Sequence, residues 1–216
     1  YFAVLSRVFL SSLIFLPLIR WPRVTASLAA RLMVIGGIQL GVMFICFYNS
    51  FAFLSVAEVV LFTVFTPIYI TLLYDLARRR FTLWYLVTAA VAVAGAAVIR
   101  YNPLSADFVT GFLLVQAANL CFALGQVAYK KLMESLAQTG QEGLPQYSVF
   151  GFFYLGALVV AAAGWLIWGD PEMMPTTPVQ WGVLLWLGVG ASALGYFLWN
   201  KGAIMVNAGA LASMNN

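Results

Sequence analysis

Apolar residues run along the chain in blocks of about twenty, at 1–19, 32–53, 56–74, 81–99, 111–129, 147–168 and 181–199, and a further block begins near 206. About twenty mostly apolar residues is the length of a helix that crosses a bilayer. None of the blocks alternates apolar with polar positions as a barrel strand does. Unpaired backbone groups are also costly in lipid, so the pattern predicts helices. The chain therefore reads as an all-α polytopic membrane protein with seven full spans and the start of an eighth.

Composition agrees. The chain is 63% hydrophobic and only 8% charged, whereas soluble domains run at about 45–50% apolar and about 25% charged. Lipid must then be the solvent for much of the surface. There is no histidine, which removes the commonest general base and metal ligand, and no metal or cofactor is expected. Cys46 and Cys121 each lie inside an apolar run without a CxxC partner, so they read as small buried residues.

The basic residues give orientation. One set of loops carries Arg20, Arg23, Arg31, Arg78, Arg79, Arg80, Lys130, Lys131 and Lys201; the opposite set carries Arg100, and Arg7 lies inside a span. By the positive-inside rule the first set is cytoplasmic and residue 1 is on the outer side. The net charge of +4 is thereby assigned to topology, and no nucleic-acid partner is expected. The expected location is a bacterial-type inner (plasma) membrane. A first visible span that runs from outside to inside also leads us to expect one span before Tyr1.

An internal repeat sharpens this picture. "YNSFAFLSVAEVVLFTVF" from 48 and "WNKGAIMVNAGALASMNN" from 199 align without gaps, so that Asn49 meets Asn200, Ala52 meets Ala203 and Ala57 meets Ala208. Each copy places an aromatic–Asn pair before a very short hairpin and a new Ala-containing span. The first hairpin has no basic residue and the second carries Lys201, so the copies face opposite sides. Repeats of opposite topology mark many transporters, with substrate bound near the interface of the halves. The expectation is a ten-helix inverted repeat (5+5). Residues 1–99 would be the first repeat lacking its first span, and 100–216 a truncated second repeat. The natural protein is expected to be longer at both ends.

Several stretches resemble the EamA family of the drug/metabolite transporter superfamily. "LSRVFLSSLIFLPLI" looks like the family's second span, with Arg7 at its arginine, and "SVAEVVLFTVFTPIYITLL" like its fourth, with Pro67 at its proline. "GFLLVQAANLCFALGQVAYKKL" is similar to the sixth span, and "GASALGYFLWNKGAIMVNAGALAS" to the eighth and ninth. The resemblance implies a secondary transporter, often an exporter, of amino acids, carboxylates or amines, working by alternating access.

Polar residues within the spans are the candidate chemistry, since lipid makes them expensive. Arg7 and Glu58 sit at similar depth. Either they pair, or Glu58 reaches the outer interface, or Arg7 anchors a substrate carboxylate with Glu58 as its resting partner. Were transport coupled to protons, Glu58 would be the titrating group. Gln116, Asn119, Ala123 and Gln126 share one helix face, which either lines a wet path or bonds neighbouring helices. Gln39, Cys46 and Asn49 form a similar stripe, with Gly36, Gly37 and Gly41 allowing close helix approach. Asn49 is also a candidate substrate contact. Pro67 cannot donate a backbone hydrogen bond, leaving the Thr63 carbonyl to a gate or a plain kink. Tyr48, Tyr154 and Tyr196 are candidates for stacking on an amphipathic substrate.

An intramembrane enzyme needs paired acids, an activated nucleophile or a metal cluster, and the spans hold none. A seven-helix receptor or sensor and a nucleotide-sugar carrier stand as alternatives to the metabolite exporter.

Overall fold

The computed structural model describes residues 1–20, 24–77, 106–138, 145–206 and 211. Within them the chain is helical, with α1 at Phe2–Phe15, α2 at Ala26–Ser50, α3 at Val56–Ala77, α4 at Ala106–Gln138, α5 at Gln146–Trp168 and α6 at Pro178–Ala203. Five of these helices are long and apolar enough to cross a membrane, and α1 with its 3-10 extension is a shorter apolar helix. The described residues are thus all-helical, and the chain is a multi-pass integral membrane protein. The block at 81–99 and the basic residues Arg23, Arg78, Arg79, Arg80 and Arg100 lie outside the described residues. So does the block from 206, except for Val206 and Leu211.

Local chemistry starts the helices where the apolar runs begin. Thr25 caps α2 by accepting from the Leu28 amide. Ser55 and Glu58 form a capping box on α3, and Thr177 and Gln180 form another on α6, where Pro178 takes the first turn. Such caps satisfy amides that the first helical turn leaves without partners. α4 runs well beyond the block at 111–129 and carries Lys130 and Lys131 within it. At about 1.5 Å per residue it spans roughly 50 Å, more than the roughly 30 Å of bilayer hydrocarbon.

α2 is the centre of the bundle. It packs against α5 and α4, while α5 also packs against α1, α4 against α3, and α6 on α1. The α2–α5 seam is made of backbone. A Cβ on Gly36 would stand 1.9 Å from the Phe153 carbonyl oxygen, and one on Gly156 would stand 1.9 Å from that of Met33. The small residues expected to allow close approach do so here. Beside this seam lies a core of fully buried aromatic rings from Tyr129, Phe150, Phe153 and Tyr154.

Two helices widen to π geometry in mid-course, α2 over Gly37–Val42 and α6 over Leu187–Gly195. π turns are rare and concentrate at functional sites. α3 breaks instead at Val64 and Phe65, just before Pro67. The Thr63 carbonyl that Pro67 leaves without an amide is met by the Thr66 hydroxyl, whose oxygen is 2.7 Å away. That supports the structural kink over the gate. Thr66→Val is expected to destabilise the fold by about 1–3 kcal/mol, the usual cost of stranding a buried acceptor. Thr66→Ser should cost far less in the same denaturant titration.

The two ends of the bundle differ in charge. Arg20 bonds Ser148 and Tyr147, Gln146 bonds Tyr129, Lys131 bonds the Ala77 carbonyl, and Lys130 bonds the Ala203 and Val206 carbonyls. These contacts gather Arg20, Lys130, Lys131 and the C-terminal end of α6 at one end, where Lys201 also sits. At the other end Tyr1 stacks on Trp168, and Phe2 meets Trp165 and Trp181 edge-on. The alternation read from the loops therefore corresponds to a real segregation among the described residues.

Candidate functional site

A buried cation sits among neutral partners near the middle of α1. Arg7 is 7% exposed. Its Nε donates to Ser192 Oγ on α6 at 2.9 Å, and its Nη1 donates to Tyr48 Oη on α2 at 2.7 Å. The guanidinium carbon lies 4.2 Å above the Phe44 ring centre and 5.7 Å from that of Tyr48. A guanidinium cannot shed its charge in a protein, and ring faces stabilise it without neutralising it. No carboxylate pairs with Arg7 among the described residues, and its Nη2 makes no hydrogen bond to them. Its charge is therefore not neutralised by any described residue.

The helices hold this arrangement from several sides. Tyr154 on α5 donates its hydroxyl to the Ser192 carbonyl, inside the π segment of α6. Ser11 Oγ lies 2.9 Å from the Arg7 carbonyl and 3.0 Å from that of Gly188. The Tyr196 ring meets Phe44 edge-on at 5.8 Å and stands 6.1 Å from Phe122. Arg7, Tyr154 and Tyr196, expected from the sequence, therefore come together with Tyr48.

A second polar group lies where α2, α4 and α6 meet. Gln39, Gln126 and Asn200 are each fully buried. Gln39 Nε2 donates to Gln126 Oε1 at 3.1 Å and reaches Asn200 Oδ1 at 3.4 Å, and Trp199 Nε1 donates to the same Gln126 oxygen at 3.0 Å. Gln39 reaches across because its side chain lies on Gly125, where any Cβ would stand 2.2 Å from its own.

Other candidates take different places. The expected Arg7–Glu58 resting pair is corrected: Glu58 Oε2 accepts from the Ser55 amide at 2.9 Å and lies 2.8 Å from Ser55 Oγ, at the start of α3. Backbone amides at a helix N-terminus suit a carboxylate. Asn49 donates to the Ile45 carbonyl of its own helix and does not reach Arg7. Gln116 and Asn119 bind α3, through Tyr69 in one case and through Thr66 and the Phe62 carbonyl in the other. They join helices, which is the packing reading of that stripe. Phe44 and Ser192 were not legible beforehand, because one phenylalanine or serine in an apolar helix carries no signal of its own. Apolar grooves flank α6, one of them lined by Phe2, Leu5, Phe9, Trp181 and Leu185, and they do not include Arg7.

The chain is 51% identical to a probable biotin transporter of Pseudomonas aeruginosa over 216 residues, which is all of this chain and 74% of that protein. It is 46% identical to a biotin transporter of Escherichia coli K12 over 217 residues, covering 71% of the relative. A biotin transporter of Salmonella typhimurium is 45% identical over the same span. No family model matches the chain. A protein of known crystal structure superposes with a TM-score of 0.69 at 17% identity, over 99% of this chain and 74% of its own, which speaks for a shared fold alone.

These relatives correct the family expectation. The EamA assignment, with its amino acid, carboxylate or amine exporter, gives way to the named biotin transporters, and the receptor and nucleotide-sugar alternatives go with it. The motifs behind the resemblance are runs of small and aliphatic residues. Lipid selects such runs in any membrane helix, so they carry little information about substrate.

Proposed function

The chain belongs to the family of the biotin transporters that match it along its whole length, and from this premise we propose that it carries biotin across a bacterial inner membrane. The relatives are transporters and the chain is no enzyme. Biotin is a carboxylic acid whose aliphatic tail ends in an apolar bicyclic body with a ureido group. The observation that carries the reading is Arg7. It is a buried, permanently charged fork with neutral partners, walled by Phe44, Tyr48 and Tyr196. A carboxylate on a hydrophobic tail satisfies both the charge and the rings. Arg7 is the carboxylate anchor in this reading, Tyr48 and Ser192 aim it, and Tyr154 fixes the α6 backbone beneath it.

The finer architecture belongs to the same proposal. The chain carries two inverted repeats, divided near residue 100, of a ten-helix protein. In support, the π segment Gly37–Val42, shifted by the 151 residues that separate Asn49 from Asn200, falls on 188–193, within the π segment Leu187–Gly195. Two rare helical defects in matching positions strengthen a repeat that three identities left thin.

The test is transport of labelled biotin into vesicles reconstituted with the full-length protein, with and without a proton gradient. Uptake above empty vesicles is expected, and biotin should compete at least tenfold better than its methyl ester. Equal competition by the ester would remove the role given to Arg7. Absence of biotin uptake under both conditions would overturn the function.

A further inference from the structure

We infer that the buried carboxamides Gln39 and Gln126 read the ureido group of the substrate, at the opposite end of the molecule from the carboxylate. The inference rests on the biotin reading above. It begins from Trp199, whose indole nitrogen can only donate. Trp199 Nε1 lies 3.0 Å from Gln126, so the atom facing it is the oxygen. Gln39 also contacts that oxygen and must present its nitrogen. The same Gln39 nitrogen faces Asn200 Oδ1, whose amide nitrogen donates to the Tyr196 carbonyl. One donor-only ring thus fixes the orientation of all three amides.

The leftover atoms follow from that orientation. Gln39 Oε1 and Gln126 Nε2 are buried and have no hydrogen-bond partner. Buried polar atoms are almost always partnered, so a vacant acceptor and a vacant donor on adjoining side chains mark a place for a matching group. A ureide supplies one in its neighbouring N–H and C=O: the N–H donates to Gln39 Oε1, and the carbonyl accepts from Gln126 Nε2.

The distance to Arg7 suits a molecule with two polar ends. Gln39 and Tyr48 are nine residues apart on α2, and Ser192 and Asn200 are eight apart on α6. At about 1.5 Å per residue, and less where the helices widen to π geometry, the two sites are at most roughly 12–14 Å apart along these helices. Phe44 and Tyr196 stand between them on the same two helices. A carboxylate at one end, a ureide at the other and an apolar body between them meet the three surfaces in order.

The experiment is a binding cycle on the full-length protein in detergent, read by displacement of labelled biotin. Biotin is compared with biotin methylated at either ureido nitrogen, on the wild type and on Gln39→Leu and Gln126→Glu. On the wild type at least one methylated form is expected to bind tenfold or more weaker than biotin. On folded Gln39→Leu, biotin should weaken by a similar factor, and the extra penalty of methylation should largely vanish, since the atom it opposed is gone. Gln126→Glu keeps an acceptor for Trp199 and Gln39 but removes the donor, so biotin should again bind tenfold or more weaker. Methylated forms that bind the wild type as well as biotin would overturn the inference while leaving biotin transport standing. So would a methylation penalty that persists undiminished in Gln39→Leu. If either variant fails to fold, the wild-type comparison decides. A wild type that binds no biotin removes the functional reading itself.

Discussion

Replacing Gly156 with leucine is expected to leave no folded protein after extraction in mild detergent. A Cβ at this position would stand 1.9 Å from the Met33 carbonyl oxygen and 2.5 Å from its carbon and Cα. These are backbone atoms of α2 and cannot rotate aside. Gly36 meets the Phe153 carbonyl in the same way from the other helix. Overpacking that side chains can absorb costs about 1–3 kcal/mol. Here the helices themselves must part, and the fully buried Phe150, Phe153 and Tyr154 lose their packing with them. A loss of more than about 3 kcal/mol is a large share of the roughly 5–15 kcal/mol that holds a typical protein folded. Gly182→Ala is the matched control. Nothing lies within 4 Å of a Cβ there, and alanine is the better helix former by about 1 kcal/mol. A monodisperse elution profile for Gly156→Leu, with a melting temperature near wild type, would show that the two backbones do not meet.

Arg7→Met is expected to abolish biotin transport and still give a protein as stable as the wild type. The separation is the informative part. The guanidinium is buried beside Ser192, Tyr48 and Phe44, and no carboxylate offsets its charge among the described residues. A methionine of similar length removes a desolvated cation from a largely apolar site. Such replacements are often neutral or stabilising when no partner charge is stranded. A carboxylate held by a charge-assisted fork is worth about 1.5–3 kcal/mol per bond, so transport should fall by at least about a hundredfold. Arg7→Lys keeps the charge and loses the planar fork, and should fall about tenfold. Transport by Arg7→Met at more than a tenth of the wild-type rate would place the anchor elsewhere. A sharply lowered melting temperature would make Arg7 a structural residue.

The helices were legible because lipid imposes one requirement, an apolar run long enough to bury its own hydrogen bonds. The blocks at 1–19, 56–74, 147–168 and 181–199 each coincide with a described helix to within a few residues, and α2 begins six residues before the block at 32–53. The block at 111–129 fell short of α4 because a helix does not end where the membrane does, and Lys130 and Lys131 continue it into the polar zone. Arg7 stood out because a charge inside a span is expensive. Its partners did not, since Ser192 is 185 residues away and no pattern links the two. The pairing of Glu58 with Arg7 came from the same rule that found Arg7, and the bonds of Glu58 to Ser55 replace it. "SVAE" at 55–58 is a capping-box sequence at the mouth of an apolar run, and the local rule takes precedence over the idea of a buried acid. Asn49 shows the other limit: an amide in a helix can satisfy itself on the carbonyl one turn back, and composition alone cannot tell that from a ligand contact.

The backbone seam between α2 and α5 also bears on how the protein is made. Gly36 and Gly156 are separated by 120 positions, and a ribosome adds roughly 5–20 residues per second. For about 6–24 s after α2 enters the membrane, its glycine face has no α5 to meet. During that interval the face is a bare groove along a helix, the kind of surface on which other transmembrane helices dimerise. Correct assembly therefore depends on the groove staying covered by lipid or by the insertion machinery until α5 is synthesised. Slowing translation between the two helices should raise the yield of misassembled protein, even though every side chain in the finished molecule is unchanged.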